Sequence, residues 1–275
     1  MMQQGDYAIT FACLNQVAYT RQCVESLCRT GIDLARVIAV DNSSTDETRS
    51  YLESLPLGGR IFNKTNLGCG VAWNQGALAM QAEWSVIMNN DIVVAPGWLD
   101  ALLEVAAERG LKIVCPAMIE GELDYDLDAF AQDAARRMRG VVRLGRRHAV
   151  CMAVHNSVWL EIGYFQPVPR LLGFEDSLFF NEVRKAAIPT AITGASWIHH
   201  FGSITQSAMK RERGLAARQA LGGPNLNRLL GLGWLDRKAI KFRNKQQLRA
   251  WRRRELADYA MTVHGVRGSG KFQWL

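Results

Sequence analysis

The chain has 275 residues, of which 48% are hydrophobic and 21% are charged, a composition typical of a folded protein with a sizeable core. So large an apolar share excludes a mainly disordered chain, and no run reaches the ~18 uncharged apolar residues that a spanning helix needs. The N-terminal segment lacks the basic-then-apolar layout of a signal peptide, so we expect a cytoplasmic protein. Six scattered cysteines without a CxxC pair favour free thiols in a reducing compartment.

The net charge of +7 is unevenly distributed. Residues 210–275 carry 16 basic and 4 acidic side chains, a net charge of +12, whereas the preceding residues have a net charge of −5. We therefore expect two parts with different roles, a body and a basic C-terminal extension.

Short apolar runs alternate with helical patterns at the start of the chain. Strands are predicted at 7–14, 37–40, 60–63 and 84–88, with a helix following each of the first three. This order predicts a parallel sheet with right-handed crossovers, in which ligands bind beyond the carboxyl ends of the strands. Polar loops leave those ends at 15–16, 41–46 and 89–91, so we expect them to meet at one crevice.

The remaining patterns predict helices at 98–109, 157–162 and 173–187, and strands at 113–116, 151–154 and 191–197. The acidic stretch 120–128 is predicted to be a loop. The sequence GVRGSGK at 265–271 has the spacing of a phosphate-binding loop. However, Phe272 stands where Ser or Thr is required and no helix can follow, so the match is interpreted as accidental.

Five segments carry a family signature in their order and spacing: VIAVDNSSTDET, NLGCGVAWNQGAL, VIMNNDIVV, GFEDSLFFNEVRKA and IHHFGS. Over roughly residues 7–205 the sequence resembles the family 2 glycosyltransferases. The resemblance implies a GT-A-like α/β fold, a Rossmann-like mostly parallel sheet flanked by helices, followed here by a basic helical extension. Together with the charge distribution, this predicts three parts: a nucleotide-sugar-binding half at 1–95, an acceptor-binding half of the same domain at 96–205 and the basic helical extension at 206–275.

The donor-binding residues are expected in the loops of the first half. Asp41 ends a buried strand, where its carboxylate can accept hydrogen bonds from a nucleobase or ribose; alternatively, Asp41 and Asp46 cap the turn and helix. The resemblance implies the nucleoside contact. The full set of expected nucleotide-sugar-binding residues is Asn15, Asp41, Ser43, Asp46, Asn66, Gly68, Asn74, Asn89 and Asn90.

A cation is expected where Asn89-Asn90-Asp91 occupies the place of the family's metal-binding DxD motif. Asp91 supplies a carboxylate suited to Mn²⁺ or Mg²⁺, whereas Asn89 brings no charge; as bare sequence, the segment is also compatible with a simple turn. A neutral imidazole can complete the site, and the spacing to Gly202 favours His199 over His200.

The catalytic residues are expected at the start of the 173–187 helix. The resemblance implies that Asp176 is the base for the acceptor hydroxyl and that Glu175 places the acceptor. The alternative is that both carboxylates only stabilise the helix N-terminus. Leu178 and Glu182 depart from the family pattern, so acceptor recognition is expected to differ. Arg146 and Arg147 are candidates for further phosphate contacts.

The basic segment 236–254 leaves three interpretations open: a solvated helix packed partly on the body, an interfacial helix on anionic lipid, or a nucleic-acid-binding element. The expected function is inverting transfer of a hexosyl or deoxyhexosyl group to a hydroxyl of a glycan or lipid-linked acceptor, with peripheral contact at the inner face of the membrane. The alternatives are a degenerate core that only binds nucleotide or glycan, and a nucleic-acid-associated protein.

Overall fold

The computed structural model describes residues 6–167, 175–202, 204–205, 207 and 229–275. The first half of the chain alternates strands with helices. Its elements are β1 (Tyr7–Cys13), α1 (Val17–Arg29), β2 (Val37–Asp41), α2 (Thr48–Glu53), β3 (Gly59–Phe62), α3 (Cys69–Ala79), β4 (Trp84–Asn89) and β5 (Ile92–Val94).

The second half contains longer strands and the C-terminal extension. Its elements are α4 (Trp98–Arg109), β6 (Ile113–Gly121), α5 (Leu127–Met138), β7 (Val142–Leu144), β8 (Cys151–His155), α6 (Asn156–Ile162), α7 (Glu175–Lys185), β9 (Thr190–His200), α8 (Trp234–Tyr259), β10 (His264–Gly268) and β11 (Lys271–Trp274).

One mixed sheet of 11 strands organises the described part of the molecule. Its main path runs β11-β10-β6-β8-β4-β1-β2-β3, while β9 pairs with β5, β6 and β7. Strands β3, β2, β1 and β4 are mutually parallel, and β8 is antiparallel to both β4 and β6. The predicted GT-A-like α/β architecture, with its parallel first half and basic helical extension, is confirmed.

The central strands are buried on both sides because helices pack against both faces of the sheet. All seven residues of β1 and all five of β2 are buried, which is typical of strands with near-continuous apolar runs in parallel sheets. Helix α3 lies very close to β1 at Gly76, where an added Cβ would stand 1.7 Å from the Thr10 hydroxyl oxygen. Glycine is therefore required there by the helix–sheet approach.

Two parts of the second half differ from the sequence prediction. The stretch 120–128 is not a loop throughout, because Glu120 belongs to β6 and α5 begins at Leu127. The GVRGSGK segment forms a hairpin, in which β10 and β11 are joined by a turn at Ser269 and Gly270, both with positive φ. This backbone provides no strand-to-helix phosphate loop.

The extension is attached to the body by a strand and by a buried ion pair. Strand β10 lies parallel to the end of β6, and the guanidinium of Arg143 on β7 donates two hydrogen bonds to Glu255 on α8. The rest of α8 is largely exposed. Among the described helices, none combines the length and apolar character needed to cross a membrane.

Candidate active site

A pocket of about 450 Å³ opens at the carboxyl ends of β1 and β4. The strand order reverses here, since the chain proceeds from β1 outward to β3 and then returns to place β4 on the other side of β1. Such a switch point leaves a crevice between the two loops that leave the neighbouring strands. Ala12, Cys13 and Leu14 line one side of it, and Asn89, Asn90 and Asp91 line the other.

The loop after β4 is held rigidly beneath the pocket. The side-chain amide of Asn90 donates a hydrogen bond of 2.9 Å to the Thr20 hydroxyl on α1, and the backbone N–H of Asn89 donates to the Val150 carbonyl. The backbone carbonyl of Asp91 accepts from the N–H of Phe201. These contacts leave the buried Asp91 carboxylate facing the pocket.

His200 lies opposite Asp91, because β5 and β9 run antiparallel and pair Ile92 with His200. Its Nε2 is 3.4 Å from Asp91 Oδ1. At this distance the two buried side chains form an ion pair when His200 is protonated, and neither atom has another hydrogen-bond partner among the described residues. An oxygen and a nitrogen donor therefore converge at the pocket floor.

The sequence favoured His199 over His200 as the histidine that completes a cation site with Asp91. The structure corrects this choice, because His200 and not His199 lies beside Asp91. His199 points to the other face of β9, where its Nδ1 is 3.0 Å from the Tyr125 hydroxyl and its Nε2 is 3.1 Å from the Gly121 carbonyl oxygen. Both ring nitrogens are occupied, and burial lowers the pKa of His199 to about 4. His200, the next residue in the strand, takes the position beside Asp91.

Glu120 orients His200 from behind and was not identified from the sequence. One carboxylate oxygen of Glu120 is 3.0 Å from His200 Nδ1, and the other is 3.1 Å from His264 Nε2 on β10. Hydrogen bonds with both imidazoles hold the pKa of Glu120 well below its usual range. Burial would lower the pKa of His200, but the carboxylates of Asp91 and Glu120 outweigh it and raise that pKa to about 9.

Glu175 and Asp176 reach the same pocket from the first turn of α7. Glu175 is buried and Asp176 is partly buried. Burial, followed by the charge of Glu175, raises the pKa of Asp176 above its usual range. The first turn of α3 approaches closely, since a Cβ added at Gly70 would stand 3.0 Å from Glu175 Cβ. This close contact places the start of α7, with its two carboxylates, beside the first turn of α3.

The predicted donor residues Asn66 and Gly68 also line the pocket, together with Asn42, which the sequence analysis did not single out. The Asn42 amide donates a 3.1 Å hydrogen bond to the Gly68 carbonyl, and its oxygen accepts one of 2.9 Å from Asn63. Its position directly after Asp41 at the end of β2 was the available signal.

Asp41 and Ser43 do not line the pocket. Asp41 is buried and accepts hydrogen bonds from the backbone N–H and hydroxyl of Ser44. The hydroxyl of Ser43, a residue with φ of 74°, donates to the Lys64 carbonyl. Both residues therefore stabilise the turn after β2. For Asp41 this is the role that the alternative interpretation of the sequence gave it.

Asn15 and Asp46 hold the loops after β1 and β2 together. The Asn15 side-chain oxygen accepts from the N–H of Thr45 at 2.7 Å, and Asp46 accepts from the N–H groups of Val17 and Thr48. Burial would raise the pKa of Asp46, but hydrogen bonds from Thr48 and Val17 outweigh it and lower that pKa. Asn74 makes reciprocal hydrogen bonds with the backbone of Phe165. None of the three predicted residues lines the pocket.

A basic wall completes the site. Arg147 lines the pocket and lies over the Phe180 ring, with its guanidinium carbon 5.1 Å from the ring centroid. It donates hydrogen bonds to the carbonyls of Gly145 and Phe180. Burial, with the nearby charges of Arg146 and Arg184, lowers the pKa of Arg147, and this local excess of positive charge favours an anionic ligand.

The side chains of Asp91 and His200 provide only some of the ligands that a divalent cation needs. A carboxylate oxygen and an imidazole nitrogen suit Mn²⁺, and the two atoms that lack another hydrogen-bond partner among the described residues, Asp91 Oδ1 and His200 Nε2, face the same space. No cluster of three or more His, Cys, Asp or Glu suited to a metal occurs in the described residues. Asp91 and His200 are therefore two candidate ligands, fewer than a closed protein site would supply.

Comparison with known proteins gives the family. The sequence profile described as "Glycosyl transferase family 2" matches residues 9–158, which is over half of the chain. The chain belongs to glycosyl transferase family 2.

One curated relative is the N-acetylglucosaminyl-diphospho-decaprenol L-rhamnosyltransferase of Mycobacterium tuberculosis. It is 33% identical over 126 residues, which are 42% of this chain and 39% of the relative. The chain spans about two fifths of the length of the curated relatives that it matches.

Solved structures share the fold at low sequence identity. GalNAc-T7 with UDP, GalNAc and Mn²⁺ has a TM-score of 0.59 and 13% identity, over 73% of this chain and 44% of its own. The mannosyltransferase PcManGT from Pyrobaculum calidifontis, in complex with GDP-Man and Mn²⁺, has a TM-score of 0.56 and 14% identity, over 77% and 61% respectively. These similarities establish the GT-A fold. At 13–14% identity they do not identify the substrates of this chain.

Proposed function

We propose that this glycosyltransferase moves a hexosyl or deoxyhexosyl group from a nucleotide-diphosphate-sugar to a hydroxyl of a glycan or lipid-linked acceptor, with inversion. The observation that supports it most is the convergence of four side chains at one pocket: Asp91, which directly precedes β5, His200 on the paired strand β9, and Glu175 and Asp176 in the first turn of α7. These groups supply a place for a diphosphate and a carboxylate for the acceptor.

In this proposal Asp176 is the base. Its carboxylate takes the proton of the acceptor hydroxyl while that oxygen forms a bond to the anomeric carbon, and the bond from that carbon to the diphosphate breaks. The electron pair leaves with the nucleoside diphosphate. A single displacement of this kind inverts the anomeric configuration. Partial burial of Asp176 raises its pKa, which makes it a stronger base than an exposed aspartate.

The nucleoside diphosphate is proposed to lie between the loops after β1, β2 and β4. Asn42, Asn66 and Gly68 offer polar atoms on its nucleoside side, and Arg147 offers a cation on its diphosphate side. Asp41 acts from outside the pocket by fixing the turn that presents Asn42. The ligands named for the structural neighbours, UDP and GDP-Man, both contain a nucleoside diphosphate.

Asp91 and His200 are proposed to hold Mn²⁺ or Mg²⁺. When bound, the cation supplies positive charge that offsets the charge developing on the leaving diphosphate. Glu120 orients His200 by accepting its Nδ1–H, an arrangement common around histidines that bind metals. The neighbours crystallised with Mn²⁺ support this assignment.

The sugar and acceptor are proposed by analogy with the mycobacterial relative, which is named for transfer of L-rhamnose to an N-acetylglucosaminyl-diphospho-decaprenol. Residues 1–95 are proposed to bind the donor and 96–205 the acceptor. Peripheral membrane contact through α8 is supported by exposed Trp234, Leu235 and Phe242, with the Lys238 ammonium 3.8 Å from the Trp234 ring centroid.

The test is Asp176→Asn, which keeps the shape of the side chain and removes the base. We expect the transfer rate to fall ~10²–10⁴-fold while donor binding persists. Asp258→Asn, an exposed change on α8, serves as the control and should retain the wild-type rate. Proton NMR of the wild-type product should show the inverted anomer; unchanged turnover of Asp176→Asn or a retained anomer would contradict the proposal.

A further inference from the structure

A second and larger cavity, of about 880 Å³, lies between α8 and the body. Its walls come from α8, from β7 and the segment that follows it, and from the β6–β10 edge of the sheet. Seven cationic side chains line what we call the basic cleft: Arg143, Arg146, Arg237, Lys241, Lys245, Arg249 and Arg252. No aspartate or glutamate is among the lining residues that the structure describes.

Most of this positive charge has no partner. Arg143 is neutralised by Glu255, but the other six cations of the basic cleft form no ion pair with any described residue. Arg146 is partly buried, and its Nε makes no hydrogen bond within the described part of the chain. Burial, followed by the charge of Arg143, lowers the pKa of Arg146. Self-repelling cations held around one cavity favour an anion with several oxygens.

The basic cleft also has an apolar wall. Seven hydrophobic residues are interleaved with the cations: Met118, Ile192, Leu232, Ile240, Leu248, Val263 and Leu275. Beyond its rim, Trp234, Leu235 and Phe242 are exposed on the same helix. A purely ionic ligand gains nothing from these surfaces, whereas a ligand that joins phosphate to hydrocarbon contacts both kinds.

The basic cleft adjoins the active-site pocket. His148 lines both cavities, while Arg146 faces the basic cleft and Arg147 faces the pocket. The imidazole of His148 is fixed between them, with its Nε2 2.9 Å from the Pro116 carbonyl oxygen. A ligand in the basic cleft is therefore separated from the pocket by one short segment of backbone.

We infer that the basic cleft binds the diphosphate of a lipid-linked acceptor, with the start of its hydrocarbon chain on the apolar wall. This inference rests on the proposed function, because it places the acceptor's carrier beside the transferase pocket. Guanidinium groups pair with phosphate oxygens in a bidentate manner. At about 880 Å³ the basic cleft has the volume of a small-ligand site, and its apolar wall favours a lipid diphosphate over a free one and over a nucleic-acid backbone.

The test measures binding of geranyl diphosphate by calorimetry at 150 mM salt in metal-free buffer. The cleft variant is Lys241→Ala/Lys245→Ala/Arg249→Ala, which changes exposed side chains on α8. The matched control, Arg243→Ala/Arg253→Ala/Arg254→Ala, removes the same charge from the same helix at positions that do not line the basic cleft. Inorganic pyrophosphate, geraniol and phosphatidylglycerol vesicles serve as comparison ligands.

We expect the cleft variant to bind geranyl diphosphate at least about tenfold more weakly, the scale of one or two lost charge-assisted hydrogen bonds. The control should change by less than about twofold, because exposed charges are screened at this salt concentration. Pyrophosphate should bind more weakly than geranyl diphosphate, and geraniol should not bind. Equal binding by both variants, or loss of vesicle binding alone, would overturn the inference.

The outcome is independent of the transferase chemistry. UDP, GDP or dTDP with Mn²⁺ should not displace geranyl diphosphate, and displacement would assign its binding to the active-site pocket instead. The binding experiment measures no turnover, so it can be interpreted even if Asp176→Asn retains its transfer rate. Likewise, absence of geranyl diphosphate binding would not change the interpretation of the Asp176→Asn rate.

Discussion

Replacing Glu255 by alanine should release the C-terminal extension from the body. The Glu255 carboxylate accepts hydrogen bonds of 2.7 and 2.8 Å from the Arg143 guanidinium. It also accepts one of 3.1 Å from the backbone N–H of Val263, just before β10. Both charged side chains are only 4% exposed. The substitution therefore leaves a buried guanidinium without its counterion.

The expected loss is about 3–5 kcal/mol in the free energy of unfolding, the range for breaking a buried pair by removing one partner. The double variant Arg143→Met/Glu255→Leu should recover at least half of it, because it leaves no buried charge. A matched control is Glu104→Ala, which removes an exposed partner of Arg139. That change should cost no more than about 1 kcal/mol.

The assay is equilibrium unfolding in urea, followed by tryptophan fluorescence and circular dichroism. Trp251 lies near the pair, with the Arg143 guanidinium carbon 5.8 Å from its ring centroid, so its emission reports on this junction. If Glu255→Ala costs no more than the Glu104→Ala control, the pair does not hold the extension and the reasoning is refuted.

Three further outcomes are expected from single substitutions. Gly76→Ala should destabilise the protein by about 1–3 kcal/mol in urea unfolding, because its Cβ would meet the Thr10 hydroxyl; a neutral effect would contradict the close approach. Burial lowers the pKa of His148 to about 4. Between about pH 6.5 and 4, its imidazole is therefore protonated in the unfolded chain but neutral in the folded protein. His148 alone should therefore lower the free energy of unfolding by about 3 kcal/mol as the pH drops from 6.5 to 4, and unfolding of His148→Gln across this range should lack that component; an unchanged pH slope would contradict it. Glu120→Gln should weaken Mn²⁺ binding by about 10–100-fold in calorimetry, through loss of the carboxylate behind His200; unchanged affinity would remove Glu120 from the metal site.

The parallel half of the fold could be predicted because β1, β2 and β4 are short and largely apolar. β1 and β2 are buried throughout, and the polar residues that end β2 and β4 mark the carboxyl edge where the pocket opens. Strands β5 and β7 were not predicted, because three residues are too few to show the alternation of apolar and polar side chains that marks a strand. The β10–β11 hairpin was obscured by its likeness to a phosphate loop.

The choice between His199 and His200 could not be made from the sequence, for a physical reason. Successive residues of a strand point to opposite faces, so one residue decides which imidazole meets Asp91. The pairing of β9 with β6 jumps from Pro116–Thr193 to Ala117–Trp197, so β9 carries three extra residues at 194–196. An odd number of extra residues exchanges the two faces, and Gly194 alone does not tell how many residues the irregularity contains.

The donor residues show the same limit in another form. The sequence located the loops correctly, but it could not separate side chains that face the crevice from those that build the loops. Asp41 and Asn15 are occupied by the backbone and hydroxyl of residues 44–46, whereas Asn42 faces the pocket. That difference depends on turn geometry, including positive φ at Asn15 and Ser43.

Calorimetric titration with UDP, GDP and dTDP, each with and without Mn²⁺, shows directly whether the pocket binds a nucleoside diphosphate through a cation held by Asp91 and His200. We expect micromolar binding of one of these nucleotides that requires Mn²⁺ and is lost in Asp91→Asn. The same affinity in the presence of EDTA, or in Asp91→Asn, would contradict the assignment of Asp91 and His200 to the metal and diphosphate.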